Sequence, residues 1–226
     1  MKNKRKQQEN NPFFDIVHDG DETILISKEE TKKIKDLTKK LIKDKEILIV
    51  VGRAGSGKTL VELEITKNIP KNYKKMEFVF GVDIINELRC VTTEKILKKN
   101  LIVFVDRMEL AEAFDEKKLK KVIDLIIETS KAGVCYVISC DPETLARMYC
   151  ISDKLSKMST VHNVPGLTFE QAKKLVVSRL NMDRAKKSNS LTPFTESQIK
   201  NIWQTSKGNP RMILLLCANL YSILRG

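Results

Sequence analysis

Apolar positions along the first 165 residues alternate between two patterns. Unbroken runs at 47–51 (Ile47-Leu48-Ile49-Val50-Val51) and 101–105 (Leu101-Ile102-Val103-Phe104-Val105) read as strands covered on both faces. Residues 76–80, 134–139 and 159–164 supply three more. Between them apolar residues return at helical spacing. Ile34, Leu37 and Leu41 share a face of a helix opened by the S-x-x-E capping box Ser27-Lys28-Glu29-Glu30. A second helix starts near Lys58 and runs through about Ile69, to stop at Pro70. Residues 84–99 are mainly helical, with β-branched Val91-Thr92-Thr93 as the weak point. Leu119, Val122, Ile123, Ile126 and Ile127 mark another helix, and Asp141-Pro142 offers the N-cap and first-turn proline of a further one. Strands alternating with helices predict an α/β fold with a doubly wound, mainly parallel sheet; periodicity leaves the strand order open.

After Val164-Pro165-Gly166 the pattern is helical only. Thr168-Phe169-Glu170-Gln171 and Thr195-Glu196-Ser197-Gln198 are T-x-x-Q capping boxes, and a third helix starts at Gly208-Asn209-Pro210-Arg211. Residues 212–218 are apolar nearly all round and too few to span a bilayer, so they should be buried against the other helices or dock on a partner. Residues 182–190 form a polar, basic connector. The predicted organisation is a disordered basic arm at 1–12, an α/β core at 13–166 and a small helical lid at 167–226, with no internal repeat.

The strand at 47–51 runs into Gly52-Arg53-Ala54-Gly55-Ser56-Gly57-Lys58-Thr59, which fits G-x-x-x-x-G-K-[ST] between a strand and a helix. Glycines at 52, 55 and 57 let successive N–H groups curl into an anion nest. The helix opening at Lys58, Thr59 and Leu60 adds its positive end. Lys58 offers a mobile charge to β- and γ-phosphates, and Thr59 a hydroxyl to Mg²⁺. The implied ligand is a nucleoside triphosphate with Mg²⁺. Asp106 ends the strand at 101–105; a carboxylate there is costly to bury alone, and beside a phosphate loop its natural partner is that cation.

Charge narrows the partners. The net charge is +12, and residues 166–226 carry ten basic against three acidic side chains. Such a lobe suits an anionic partner, nucleic acid first, with Lys186 and Lys187 as leading contacts through the DNA backbone; a lysine-rich solvated surface is the alternative. Lys2, Lys4, Arg5 and Lys6 of the arm could add to it. Five irregularly spaced cysteines suit neither a disulfide frame nor a zinc site. With no bilayer-length apolar run and no signal-peptide stretch, the expectation is a cytoplasmic protein with no membrane partner. His18 and His162 are isolated, and Trp203 reads as a core residue.

With its phosphate loop, its apolar strand ending in Asp106 and its helical lid bearing Gly208-Asn209-Pro210-Arg211, nearly the whole chain resembles the AAA+ ATPases. Within them it is most similar to the archaeal origin-recognition initiators and the ATPases of secretion and transposition modules, which share a start like Asn11-Pro12-Phe13. The resemblance implies ATP hydrolysis serving a DNA transaction, with a second copy or a partner protein docking on the lid. It assigns Arg211 to the γ-phosphate-sensing lid arginine and Ser139, with Asp141 nearby, to the polar residue ending the fourth strand. Arg211 also has an independent argument: a cation in a helix's first turn is disfavoured unless a phosphate is near. Two departures stand out. The residue after the strand aspartate, a water-polarising glutamate in the family, is Arg107 here, leaving Glu109 as the nearest carboxylate. Where a finger arginine is expected, the chain has Lys157, with Arg147 further back. Family initiators also continue into a winged-helix DNA reader beyond the lid. The competing expectation is a nucleotide-gated regulatory or scaffold module with little hydrolysis.

Overall fold

The structure, a computed structural model, describes residues 11–13, 22–81, 83–91, 100–113 and 115–225. The chain divides into two compact units: Lys28–Arg53 with Lys58–Val164, and the described part of Met1–Ser27 with Ala54–Gly57 and Pro165–Gly226.

The larger unit is built on five parallel strands: β1 (Ile47–Val51), β2 (Lys74–Val79), β3 (Leu101–Asp106), β4 (Cys135–Cys140) and β5 (Ser159–Asn163), in the spatial order β2-β3-β4-β1-β5. The order follows burial. β1 and β4 are buried at every position and β3 at all but Asp106, so the three most apolar strands take the middle. The lysine-bearing β2 and the polar β5 are left as edges.

One face packs Ile47, Ile49, Val103, Val105, Tyr136 and Ile138 against α4 (Ile84–Val91), α5 (Glu116–Lys131), α6 (Pro142–Ile151) and α7 (Asp153–Met158). The other carries α2 (Lys28–Asp44), which buries Ile34 and Leu41, and α3 (Lys58–Lys67), which buries Val61 and Ile65. Asp141 caps α6 by accepting the Thr144 N–H at 2.7 Å, with Pro142 in the first turn.

Some boundaries differ from the sequence reading. α3 stops at Lys67, two residues before Ile69, where the Asn68 side chain donates to Glu64 O at 2.7 Å. β2 begins two residues early, at Lys74, because pairing with β3 already starts at Lys74↔Leu101. The helix expected over 84–99 is described as far as Val91; the rest lies outside the described residues. α7 was not anticipated, and neither was a 3₁₀ helix at Met108–Ala113.

The second unit holds α1 (Glu22–Leu25), α8 (Phe169–Leu180), α9 (Glu196–Ser206) and α10 (Pro210–Arg225). Both capping boxes form with their two reciprocal bonds. The expected boundary at residue 13 needs correction: Phe13 is 1% exposed and meets Phe194 and Tyr221 edge-on, each at 5.6 Å between centroids. Asn11 donates to Ala218 O at 3.0 Å, and Gln171 to Ile24 O at 3.2 Å. The described N-terminal residues thus group with the helical unit, where Phe13 joins the core formed by the three C-terminal helices. Residues 1–10 of the expected arm, and His18, lie outside the described residues.

Trp203 is half-buried on Phe169, its indole N–H donating to Leu167 O at 2.7 Å. α10 buries Ile213, Leu214, Cys217, Ala218 and Tyr221 but leaves Leu215 and Ile223 exposed, so it is less enclosed than its composition suggests. Among the described residues no helix is long and apolar enough to cross a membrane.

Candidate phosphate-binding site

β1 delivers the chain to Gly52, whose N–H donates to Cys140 O at 3.0 Å and so ties the start of the loop to the tip of β4. The chain then turns through Gly55 at φ +76° and Gly57 at φ +104°, backbone that side-chain-bearing residues rarely adopt and that an anion nest uses. At Lys58 it enters α3. The Lys58 ammonium donates to Gly52 O at 2.7 Å and lies 3.8 Å from Glu109 Oε1, with its side chain 10% exposed. Arg53, Ala54 and Thr59 are exposed; Gly55, Ser56, Gly57 and Leu60 are half-buried. Ser56 Oγ is buried with no hydrogen-bond partner.

The loop's tip, Ala54–Gly57, packs with the helical unit. The Asn209 side chain donates to Ala54 O at 3.0 Å and accepts the Met212 N–H at 3.1 Å, capping α10 while holding the loop. The Arg211 N–H approaches Gly55 O at 3.4 Å. A Cβ on Gly55 would stand 2.3 Å from Arg211 Cβ, so only glycine admits this approach. Arg211 therefore lies beside the tip of the loop.

At the tip of β3, Asp106 is half-buried and its Oδ1 accepts the Arg107 N–H at 2.7 Å. Arg107 is left-handed at φ +57° with an exposed side chain. Met108 is fully buried, and the 3₁₀ helix brings Glu109 back to Lys58; Glu109 Oε2 is buried without a partner. After Asp106 the chain therefore turns back towards Lys58.

Ser139 is fully buried, with its hydroxyl committed to Glu62 Oε1, so its partner is α3. Burial, reinforced by Asp106, pushes the Glu62 carboxyl from 4.5 to about 7 against the pull of the Ser139 hydrogen bond. Sequence reasoning passed over Glu62; its position four residues after Lys58, on the same helical face, was the available signal. Buried Cys140 has its thiol pushed up to about 12 by desolvation, with Asp141 and Glu109 adding to the effect.

Arg147 donates to Ala111 O at 3.0 Å within its own chain, whereas Lys157 is exposed in the last turn of α7. His162 has one carboxylate neighbour: its Nε2 lies 2.9 Å from Glu30 Oε1, and burial holds the imidazole below its ordinary value despite that carboxylate. Among the described residues no three His, Cys, Asp or Glu side chains form a metal cluster. The donors that fit Mg²⁺ are those of a phosphate-assisted site, the Thr59 hydroxyl and the single Asp106 carboxylate, since Mg²⁺ takes one or two carboxylates and completes its shell with phosphate oxygens and water.

No family profile and no curated protein matches the sequence. Solved structures do. ORC2 of Aeropyrum pernix, in its ADP form, is similar at 13% identity and a TM-score of 0.54, over 84% of this chain and 61% of that one. PCH-2 of C. elegans is similar at 13% and 0.54, over 94% and 70%. Hsp104 of S. cerevisiae, in its casein complex, is similar at 13% and 0.52, over 87% and 38%. The chain thus spans about three fifths of the length of the archaeal protein. These neighbours are AAA+ ATPases, and the likeness is one of fold: an α/β, five-stranded parallel P-loop architecture with helices following it in the chain. Near-equal scores for three such different proteins single out no subgroup.

Proposed function

We propose that the chain binds Mg·ATP at residues 52–60 and hydrolyses it in a DNA transaction of the initiation, loading or transposition-targeting kind. The observation that carries this is the loop itself, with two positive-φ glycines and the lysine ammonium already drawn to its start. In this reading the loop N–H groups and Lys58 hold the β- and γ-phosphates. Thr59 and Asp106 hold Mg²⁺, which when bound neutralises charge developing between those phosphates. The same reading gives Arg211, which packs against Gly55 of the loop, as a further cation for the nucleotide. Ser139 acts from beneath, through Glu62. Glu109 holds the attacking water: its carboxylate is within a bridging distance of Lys58, and its second oxygen has no other partner.

DNA binding rests on the surplus of basic residues after Gly166 and on exposed Lys186 and Lys187. Binding of this backbone type loses affinity steeply with salt. Assembly with a second copy or a partner protein on the C-terminal helices completes the reading.

One observation favours the alternative, a nucleotide-gated switch with little turnover. The residue following Asp106 is an exposed arginine, and the next carboxylate along the chain, Glu109, is paired with the loop lysine.

Calorimetry with Mg·ATP on the parent and Lys58→Ala tests the site. The variant should lose about 3–5 kcal/mol of affinity, the cost of removing one partner from a desolvated charge pair. Unchanged affinity refutes the phosphate-loop reading. Turnover measured across protein concentration, with and without duplex DNA, separates ATPase from switch.

A further inference from the structure

We propose that Arg107 acts through its backbone: its left-handed conformation, and not its guanidinium, makes Glu109 the carboxylate that faces Lys58. The inference rests on the reading of Glu109 given above and says how that residue comes to be there.

Among the described residues three non-glycine positions have positive φ: Lys45, Arg107 and Lys207. Lys45 directly follows α2 and Lys207 directly follows α9, where a left-handed residue is the usual way for a helix to stop. Arg107 follows a strand, so helix termination does not account for it. A residue held there against its preference needs surroundings that impose it.

Those surroundings are visible. The Arg107 N–H is held by Asp106 Oδ1 at 2.7 Å, and Arg107 O accepts the Leu110 N–H at 3.0 Å, closing the turn. Met108 is anchored in the core at 0% exposure, and the Arg147 guanidinium holds Ala111 O at 3.0 Å. The side chain of Arg107 itself is exposed.

The consequence is geometric. If the strand simply continued, Glu109 would lie roughly 10 Å beyond Asp106, three residues along at about 3.3 Å each. The left-handed turn returns it instead, so that Glu109 Oε1 is 3.8 Å from Lys58 Nζ, with Oε2 buried and unpartnered. A motif that has lost its carboxylate at one position thereby recovers one two residues later, through a single dihedral.

The test asks what Glu109→Gln does in three backgrounds. Glycine accepts positive φ freely, whereas valine, branched at Cβ, resists it. In the parent and in Arg107→Gly, Glu109→Gln should tighten Mg·ATP binding about fivefold, since the phosphates no longer compete with a carboxylate for Lys58. Turnover should fall about 10²-fold in both. In Arg107→Val, where Glu109 is displaced, Glu109→Gln should change either quantity by less than about twofold. Arg107→Thr replaces Arg107→Val if thermal melting shows the latter unfolded. A full Glu109→Gln effect in the β-branched background overturns the inference. No effect of Glu109→Gln on affinity or turnover in the parent overturns the Glu109 reading and this inference with it. A parent that binds no Mg·ATP overturns the nucleotide site as a whole, and the inference falls with it.

Discussion

Gly55→Ala should damage the protein in a way that one second-site change repairs. Gly55 sits at φ +76°, where an L-residue costs about 1–2 kcal/mol relative to right-handed backbone. The new methyl would also stand 2.3 Å from Arg211 Cβ, 2.9 Å from Cδ and 3.0 Å from Nε. The outer two atoms can swing aside; the Cβ belongs to the first turn of α10 and moves only with the backbone. Overpacking of this kind costs about 1–3 kcal/mol. Displacing the turn also strains the Asn209 bond to Ala54 O, now 3.0 Å. Gly55→Ala should therefore lose about 2–5 kcal/mol in urea unfolding. Arg211→Gly removes the obstructing Cβ at a helix-propensity cost of about 1 kcal/mol. A double-mutant cycle cancels that cost and isolates the clash, so the pair should couple favourably by about 1–3 kcal/mol. Additive behaviour, or a Gly55→Ala loss below about 1 kcal/mol, would refute the close approach of Arg211 to the loop.

Three further outcomes are expected. Phe13→Ala should cost about 3–5 kcal/mol in urea unfolding, because a fully buried ring wedged between Phe194 and Tyr221 is removed; a change under about 1 kcal/mol would detach the N-terminal segment from that core. Burial raises Glu62 to about 7, so the folded chain binds its proton more tightly than the unfolded chain; stability should fall by up to about 3 kcal/mol as pH rises from about 4.5 to about 7, and Glu62→Gln should abolish this component of the pH profile. Replacing Lys186 and Lys187 with alanine should weaken duplex binding at low salt and make the salt slope shallower by about 1 for each phosphate no longer neutralised; identical isotherms would direct attention to other basic residues.

The parts of the fold legible in the sequence are those where burial is complete or capping chemistry is local. β1, β3 and β4 announce themselves because a strand covered on both faces must be apolar throughout. Thr168 with Gln171, Thr195 with Gln198, and Asp141 before Pro142 are each self-contained signals. The start of β2 is set by a neighbour in the sheet, and the strand order by pairings between residues far apart in sequence. α7 has one buried residue, Leu155, too little for a periodicity to register. Phe13 reads as the start of ordered structure, yet its partners Phe194 and Tyr221 lie at the other end of the chain, where no local pattern points back to it.

The candidate site divides in the same way. The run from Gly52 to Thr59 is contiguous and its geometry is carried by residue type, so it could be read directly; so could Asp106, which an apolar strand leaves at its tip. Glu62 was missed because its meaning depends on Ser139, 77 residues away, and on the burial the two share. Glu109 was legible only conditionally. Nothing in Asp106-Arg107-Met108-Glu109 dictates that an arginine take φ +57°; that backbone is imposed by the Asp106 carboxylate on one side and the burial of Met108 on the other. A motif compared position by position registers Arg107 as a missing carboxylate. Three-dimensional reach is the physical requirement on a group that must hold water, and reach depends on backbone direction as much as on residue identity. A substitution at a catalytic position of such a motif therefore does not by itself imply lost chemistry until the path of the next two or three residues is known.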